Sequence, residues 1–166
     1  MKIITLDLGV HTGYTIGDDK GNVIEHGVKH FKRDERPDVD SRFEEFHDWL
    51  TALIDRDSNS YPLRDKVLIV CEQANHMPSI AGTRIHFGFA SIVNLIASDN
   101  WCDITLDIVP AKSIKKFFTG TGNADKDLMI YTAQQIHPDV TSDDEADALA
   151  LYYYTMEDIN GQCLST

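Results

Sequence analysis

Cysteine, tryptophan and proline are scarce in this chain, with three, two and five residues in 166. The three cysteines, Cys71, Cys102 and Cys163, are odd in number and far apart. That spacing excludes a disulfide framework and a thiolate zinc site and leaves them as reduced thiols. Seven histidines are scattered, none beside a cysteine or in a His-Glu-x-x-His helix, so zinc is not indicated. No apolar stretch approaches the roughly 20 residues of a membrane span, and no basic-then-apolar leader opens the chain. A cytoplasmic protein with no membrane association is expected. Repeats and low-complexity segments are also missing, and 42% apolar residues suffice for one core. The expectation is a single domain over residues 1–166.

Positive charge is in deficit. Fifteen Lys and Arg face 27 Asp and Glu, a net −12 that weighs against a polyanionic partner. Its distribution matters more than its sum. Between Val109 and Ile130 four lysines (Lys112, Lys115, Lys116, Lys126) oppose two aspartates (Asp125, Asp127), leaving +2, so the rest carries −14. A local basic strip on an acidic protein is compatible with these numbers, and divalent ions bound to unpaired carboxylates would offset part of the remainder.

What is present is acid in apolar surroundings. Asp7 ends Ile3-Ile4-Thr5-Leu6, Glu72 closes Val67-Leu68-Ile69-Val70-Cys71, and Asp144 and Asp147 open Ala146-Asp147-Ala148-Leu149-Ala150-Leu151. A carboxylate in such a place is costly to desolvate unless it is paired or coordinates a cation. Few cationic residues lie nearby in sequence, so a divalent-metal site is the first hypothesis. On a helix, Asp144 and Asp147 share a face. Together with Asp7 and Glu72 they could hold two hard cations roughly 3.5–4 Å apart, an arrangement that clamps a phosphodiester for in-line attack by water. Asp143 and Glu145, in the same first turn, are explained by the helix dipole alone.

The element pattern places these acids. Strands are expected over 2–8, Thr12 to Gly17 and Val23 to Phe31, with Gly9 and Gly13 bracketing the first turn and 18–22 forming the second. Phe43, Phe46, Trp49, Leu50, Leu53 and Ile54 recur at helical spacing. A loop over 57–65, a buried strand Lys66 to Glu72 and a loop Gln73 to Gly82 follow. Next come a helix from Thr83 to Ser98 and a strand from Cys102 to Val109. Pro110 starts a helix that ends near Phe118 before Thr119-Gly120-Thr121-Gly122. A further helix runs from Asp125 to His137. Ser142-Asp143-Asp144-Glu145 is a capping box that starts the last one, to about Asp158. Hairpins first and βαβ crossovers later imply an α/β fold with a mixed five-stranded sheet flanked by helices. If the first and fourth strands are parallel neighbours, Asp7 and Glu72 emerge at the same carboxyl edge, where open α/β sheets hold their ligands.

Val109-Pro110-Ala111-Lys112-Ser113-Ile114-Lys115-Lys116-Phe117-Phe118-Thr119-Gly120-Thr121-Gly122-Asn123-Ala124-Asp125-Lys126 resembles a segment of RuvC-type Holliday junction resolvases: proline, basic helix, Gly-x-Gly turn, acidic-Lys pair. Asp144-Glu145-Ala146-Asp147-Ala148-Leu149-Ala150 is similar to that family's Asp-x-Ala-Asp-Ala-Leu-Ala signature. Thr5-Leu6-Asp7-Leu8-Gly9 with Thr12-Gly13-Tyr14, and Cys71-Glu72-Gln73, fall in the family's order. The resemblance implies an RNase H-like fold, a homodimer, and Mg²⁺- or Mn²⁺-dependent cleavage of four-way junctions or other branched DNA by symmetric nicks. It makes Asp7, Glu72, Asp144 and Asp147 the metal-binding and catalytic acids. Lys126 matches a family lysine near the scissile phosphate, and Lys115 a basic residue of the DNA-facing helix. Lys112 and Lys116 on that helix would position phosphates without reading bases, or form a solvated face.

Two departures from the family stand out. Where its members carry an aromatic shortly after Gln73, this chain has Ala74-Asn75-His76-Met77, leaving His76 as a partial stacking residue. The acidity suggests weak or salt-sensitive DNA binding, and hence relaxed specificity for branched DNA. Competing expectations are an RNase H-like nuclease acting on RNA or hybrids, and a non-catalytic binding protein on the same fold. Asp7-Leu8-Gly9 also resembles the phosphate strand of actin-like ATPases and sugar kinases, although a second phosphate strand is not found. His11, near Asp7, reads as a turn residue, and Phe117-Phe118 and Tyr152-Tyr153-Tyr154 as packing.

Overall fold

The computed structural model describes residues 1–32, 40–56, 66–73, 79–98 and 104–163. The strands are β1 (Lys2–Asp7), β2 (His11–Asp18), β3 (Val23–His30), β4 (Val67–Gln73) and β5 (Ile104–Pro110). The helices are α1 (Ser41–Asp55), α2 (Ile80–Ser98), α3 (Ala111–Thr119), α4 (Lys126–Gln134) and α5 (Asp143–Cys163). The strands form one sheet in the order β3-β2-β1-β4-β5, with β1 to β3 antiparallel and β1, β4 and β5 parallel. This is the mixed sheet expected from hairpins followed by crossovers. The expected loop over 57–65, positions 74–78 with His76, and Cys102 lie outside the described residues.

Strand periodicity divides the core between two faces. Ile4 and Leu6 of β1 and Val67, Ile69 and Cys71 of β4 join α1 and α2 residues in one cluster. Phe46 and Phe89 stack there with ring centroids 4.0 Å apart, and Phe31 meets both edge-on. Burying each of these rings contributes about 1.5–3 kcal/mol. On the other face Ile3 packs with Tyr152 and Met156, and Val70 with Ile114, Met129, Ala146, Leu149 and Ala150. Asp7 and Glu72, two residues beyond Thr5 and Val70, therefore point toward the α5 face.

Several local expectations are corrected. Gly13 is a strand residue paired with Asp7, and the turn lies before it. A Cβ on Gly13 would stand 1.8 Å from the Asp144 carbonyl oxygen, and one on Gly17 would stand 2.4 Å from the Tyr152 ring. These two glycines let α5 lie directly on β2. Helix α2 begins at Ile80, since Ser79 caps it: its Oγ accepts from Gly82 N–H at 3.0 Å. Pro110 ends β5 as the residue capping α3, and Gly120 ends α3 with φ of 83°. Asp125 caps α4 through the Leu128 N–H at 2.9 Å, and α4 ends at Gln134, not His137. By length and composition α2 is apolar enough to cross a membrane, contrary to the reading of the sequence. Its Ile85, His86, Phe89 and Val93 are nevertheless buried against the sheet, with the His86 ring 3.1 Å from the Leu8 carbonyl.

Candidate metal centre and nucleic-acid face

The parallel register of β1 and β4 brings the first two acids together. Leu6 lies opposite Cys71, so Asp7 and Glu72 follow as neighbours one step further, at the carboxyl edge. Helix α5 delivers the other two. Its start is fixed by the capping box, in which Ser142 Oγ accepts from the Glu145 N–H (3.2 Å) and Glu145 Oε2 accepts from the Thr141 N–H (3.0 Å). Its axial position is fixed by the contact at Gly13 and by Thr5 Oγ1, which donates to the Ala148 carbonyl at 2.7 Å in the buried layer. Asp144 and Asp147 thus come down beside the end of β1.

The four acids act on one another electrostatically. Burial raises the pKa of Asp7 well above the ordinary carboxylate value, and the charges of Glu72, Asp147, Asp144 and Asp143 raise it further. Glu72 is pushed up to about 7 by burial and then by Asp147, with Lys115 opposing. Asp147 rises to about 6, chiefly through burial, with Lys115 lowering it and Asp143 and Asp144 raising it. Asp144 is raised by burial and Asp143, while His11 and His30 oppose the shift. Like charges in a desolvated site raise one another's proton affinity.

The pocket has little protein cation of its own. Lys115 Nζ stands 3.9 Å from Asp147 Oδ1, too far for a hydrogen bond, and that oxygen is buried with no hydrogen-bond partner. Arg42 serves Asp40, and Arg56 serves Glu25. A buried carboxylate oxygen without a donor, among acids that repel one another, fits a hard divalent cation with oxygen ligands. Asp7, Glu72, Asp144 and Asp147 are the residues that would hold it.

Of the lysines singled out in the sequence, Lys115 reaches the acids from α3, while Lys112 and Lys116 are exposed on that helix. Lys126, at the start of α4, bonds to Asp143 and leaves its side chain 77% exposed at the edge of the pocket. Burial raises Asp143, but the hydrogen bond from Lys126, a backbone hydrogen bond and the charges of Lys126 and Lys115 together outweigh it and hold this carboxyl below its usual value. Asp143 and Glu145 are therefore more than acids at a helix end: one holds Lys126, and the other is buried against His26 at 2.7 Å. His11 is the first residue of β2, not a turn residue, and its ring meets that of His30 at 4.4 Å across the hairpin. Strand alternation alone could not reveal these histidines, whereas the hairpin pairing of His11 with His30 would have.

No family model and no curated protein matches this sequence. Solved structures do resemble it in three dimensions. Thermus thermophilus RuvC in complex with a Holliday junction substrate superposes with a TM-score of 0.69 at 16% identity, covering 97% of this chain and 96% of that one. A second Thermus thermophilus RuvC structure gives 0.64 at 16% identity over 97% of each chain. The yeast mitochondrial Holliday junction resolvase Ydc2 gives 0.65 at 13% identity, over 95% of this chain and 78% of its own. At such identities the likeness lies in the architecture: this chain has the RNase H-like fold of RuvC.

Proposed function

We propose that this chain, as a single nuclease domain, is a metal-dependent endonuclease that resolves Holliday junctions or other branched DNA. The observation that carries the reading is the meeting of Asp7, Glu72, Asp144 and Asp147 at one sheet edge, with Asp147 Oδ1 buried and without a hydrogen-bond donor. Likeness to a RuvC structure bound to a Holliday junction supports the choice of substrate. The four acids would hold Mg²⁺ or Mn²⁺, two ions per site. Bound there, the ions would stabilise the attacking and leaving oxygens of a phosphodiester as Lewis acids.

The remaining roles belong to side chains of this chain. Lys115 places a fixed positive charge beside Asp147, where it tempers repulsion and can meet a phosphate oxygen. Lys126, steered by Asp143, offers an exposed ammonium at the pocket's edge that can stabilise charge developing in the transition state. Lys112 and Lys116 extend the basic strip for backbone contacts. Paired nicks need a second site across a twofold axis, and we propose a homodimer. The cytoplasm is the expected compartment.

The test incubates a four-way junction and a linear duplex with Mg²⁺ or Mn²⁺, with Asp7→Asn as control. Metal-dependent cutting of the junction that Asp7→Asn abolishes supports the reading. Failure to cut either substrate rejects it, and equal rates on both leave a nuclease without junction preference. The sequence Ala74-Asn75-His76-Met77, without an aromatic, favours some relaxation toward other branched forms.

A further inference from the structure

A second cluster of metal-ligating side chains lies outside the acid pocket. His26 on β3 and His137 and Asp139 in the α4–α5 connection each offer one ligand atom, all within 4.8 Å of one another. The two rings meet edge-on with centroids 4.9 Å apart. His26 Nδ1 lies 2.7 Å from Glu145 Oε1, and its Nε2 lies 3.7 Å from Asp139 Oδ2. His137 Nε2 lies 2.8 Å from the Tyr153 hydroxyl.

Each imidazole thus has one nitrogen committed to an orienting partner. Such outer partners fix ring tautomer and direction at metal sites. A Glu145 carboxylate accepts from the His26 Nδ1–H, which leaves Nε2 as the nitrogen that faces Asp139. Tetrahedral ligands at about 2.0–2.1 Å from zinc stand roughly 3.4 Å apart. Asp139, with its side chain 77% exposed, is free to make that contraction.

We propose that His26, His137 and Asp139 form a zinc-type site, distinct from the magnesium-type acid pocket, that ties the edge strand β3 to the α4–α5 connection. Two imidazoles and one carboxylate suit a borderline cation such as Zn²⁺ or Co²⁺ better than Mg²⁺. Through Glu145, the site also braces the first turn of α5, which carries Asp144. The inference does not depend on the nuclease reading.

The test titrates Zn²⁺ into the full chain carrying Asp7→Asn, which weakens binding in the acid pocket, and follows the imidazole resonances by NMR together with Tm. One equivalent of Zn²⁺ is expected to shift the rings of His26 and His137, leave those of His11, His30, His47 and His86 in place, and raise Tm by several degrees. Mg²⁺ in hundredfold excess should do neither. Asp139→Ala removes an exposed side chain, so it should leave the metal-free Tm unchanged and weaken Zn²⁺ binding at least tenfold. His137→Gln should abolish the binding. The proposal is overturned if 100 µM Zn²⁺ leaves both rings unmoved, if the shifts fall on His11 and His30, or if Asp139→Ala binds as tightly as the parent.

Discussion

Asp7 shows how much of the site is a property of single groups. A carboxyl whose folded pKa exceeds its unfolded one binds its proton more tightly in the fold. Its stabilising share is therefore complete below the unfolded value and is lost as pH climbs through the folded one. For Glu72, raised from 4.5 to about 7, and Asp147, raised from 3.8 to about 6, the window runs from about pH 4 to 7. Without divalent ions the protein should lose on the order of a few kcal/mol across it. Thermal melts at pH 5 and pH 7.5 check this, and millimolar Mg²⁺ should recover most of the loss at the higher pH. Asp7→Asn removes one of the repelling charges while keeping the shape. It should raise the metal-free Tm at pH 7.5 and lower the cleavage rate by roughly 10²–10³-fold, and a lower Tm would contradict the mutual repulsion inferred here.

At the scale of elements, α5 decides whether there is a site at all. Its backbone crosses β2 at Gly13, and an alanine there would press a methyl group into the Asp144 carbonyl. Gly13→Ala is expected to cost about 1–3 kcal/mol by forced displacement of the helix start. Cleavage should fall by at least tenfold even at temperatures where circular dichroism shows a folded protein. Full activity in that variant would mean that the α5–β2 contact does not set the position of Asp144. Helix α3 acts differently, since Lys112 and Lys116 lie outside the acid pocket. Replacing either by alanine should weaken junction binding and reduce the slope of log K against log salt by about 1, with little change in the rate at saturating DNA.

For the whole molecule, an apolar surface exposed among the described residues is the outer side of α2. Ile80, Phe87 and Leu95 are 90%, 58% and 67% exposed there, opposite the buried Ile85, Phe89 and Val93. Apolar residues in one stripe on a helix are suited to meet a second copy across a twofold axis. If the proposed homodimer is built on this stripe, Phe87→Asp is expected to shift the sedimentation of the protein from dimer to monomer with its melting curve intact. Junctions should then be nicked on single strands more often than by coordinated pairs.

Much of this was legible in the sequence. Apolar alternation located β1 and β4, the capping box located α5, and an acid among apolar residues singled out Asp7, Glu72 and Asp147, because burying such charges is costly unless they are paired or bind a cation. Spacing also put Asp144 and Asp147 on one helix face. Other features depend on contacts between distant segments, which no local pattern carries. Gly13 looked like a turn residue because its missing side chain serves Asp144, 131 positions away in the chain. Glu145 looked like an ordinary acid at a helix start because its partner, His26, lies on another element. Lys126 was legible as a cation near the acids, but its pairing with Asp143 was not. Sequence by itself determined which residues are too costly to bury without a purpose and which elements bear them. Only tertiary structure decided which of them meet, because proximity between β3 and α5, or between β1 and β4, is set by sheet order and helix docking rather than by spacing along the chain.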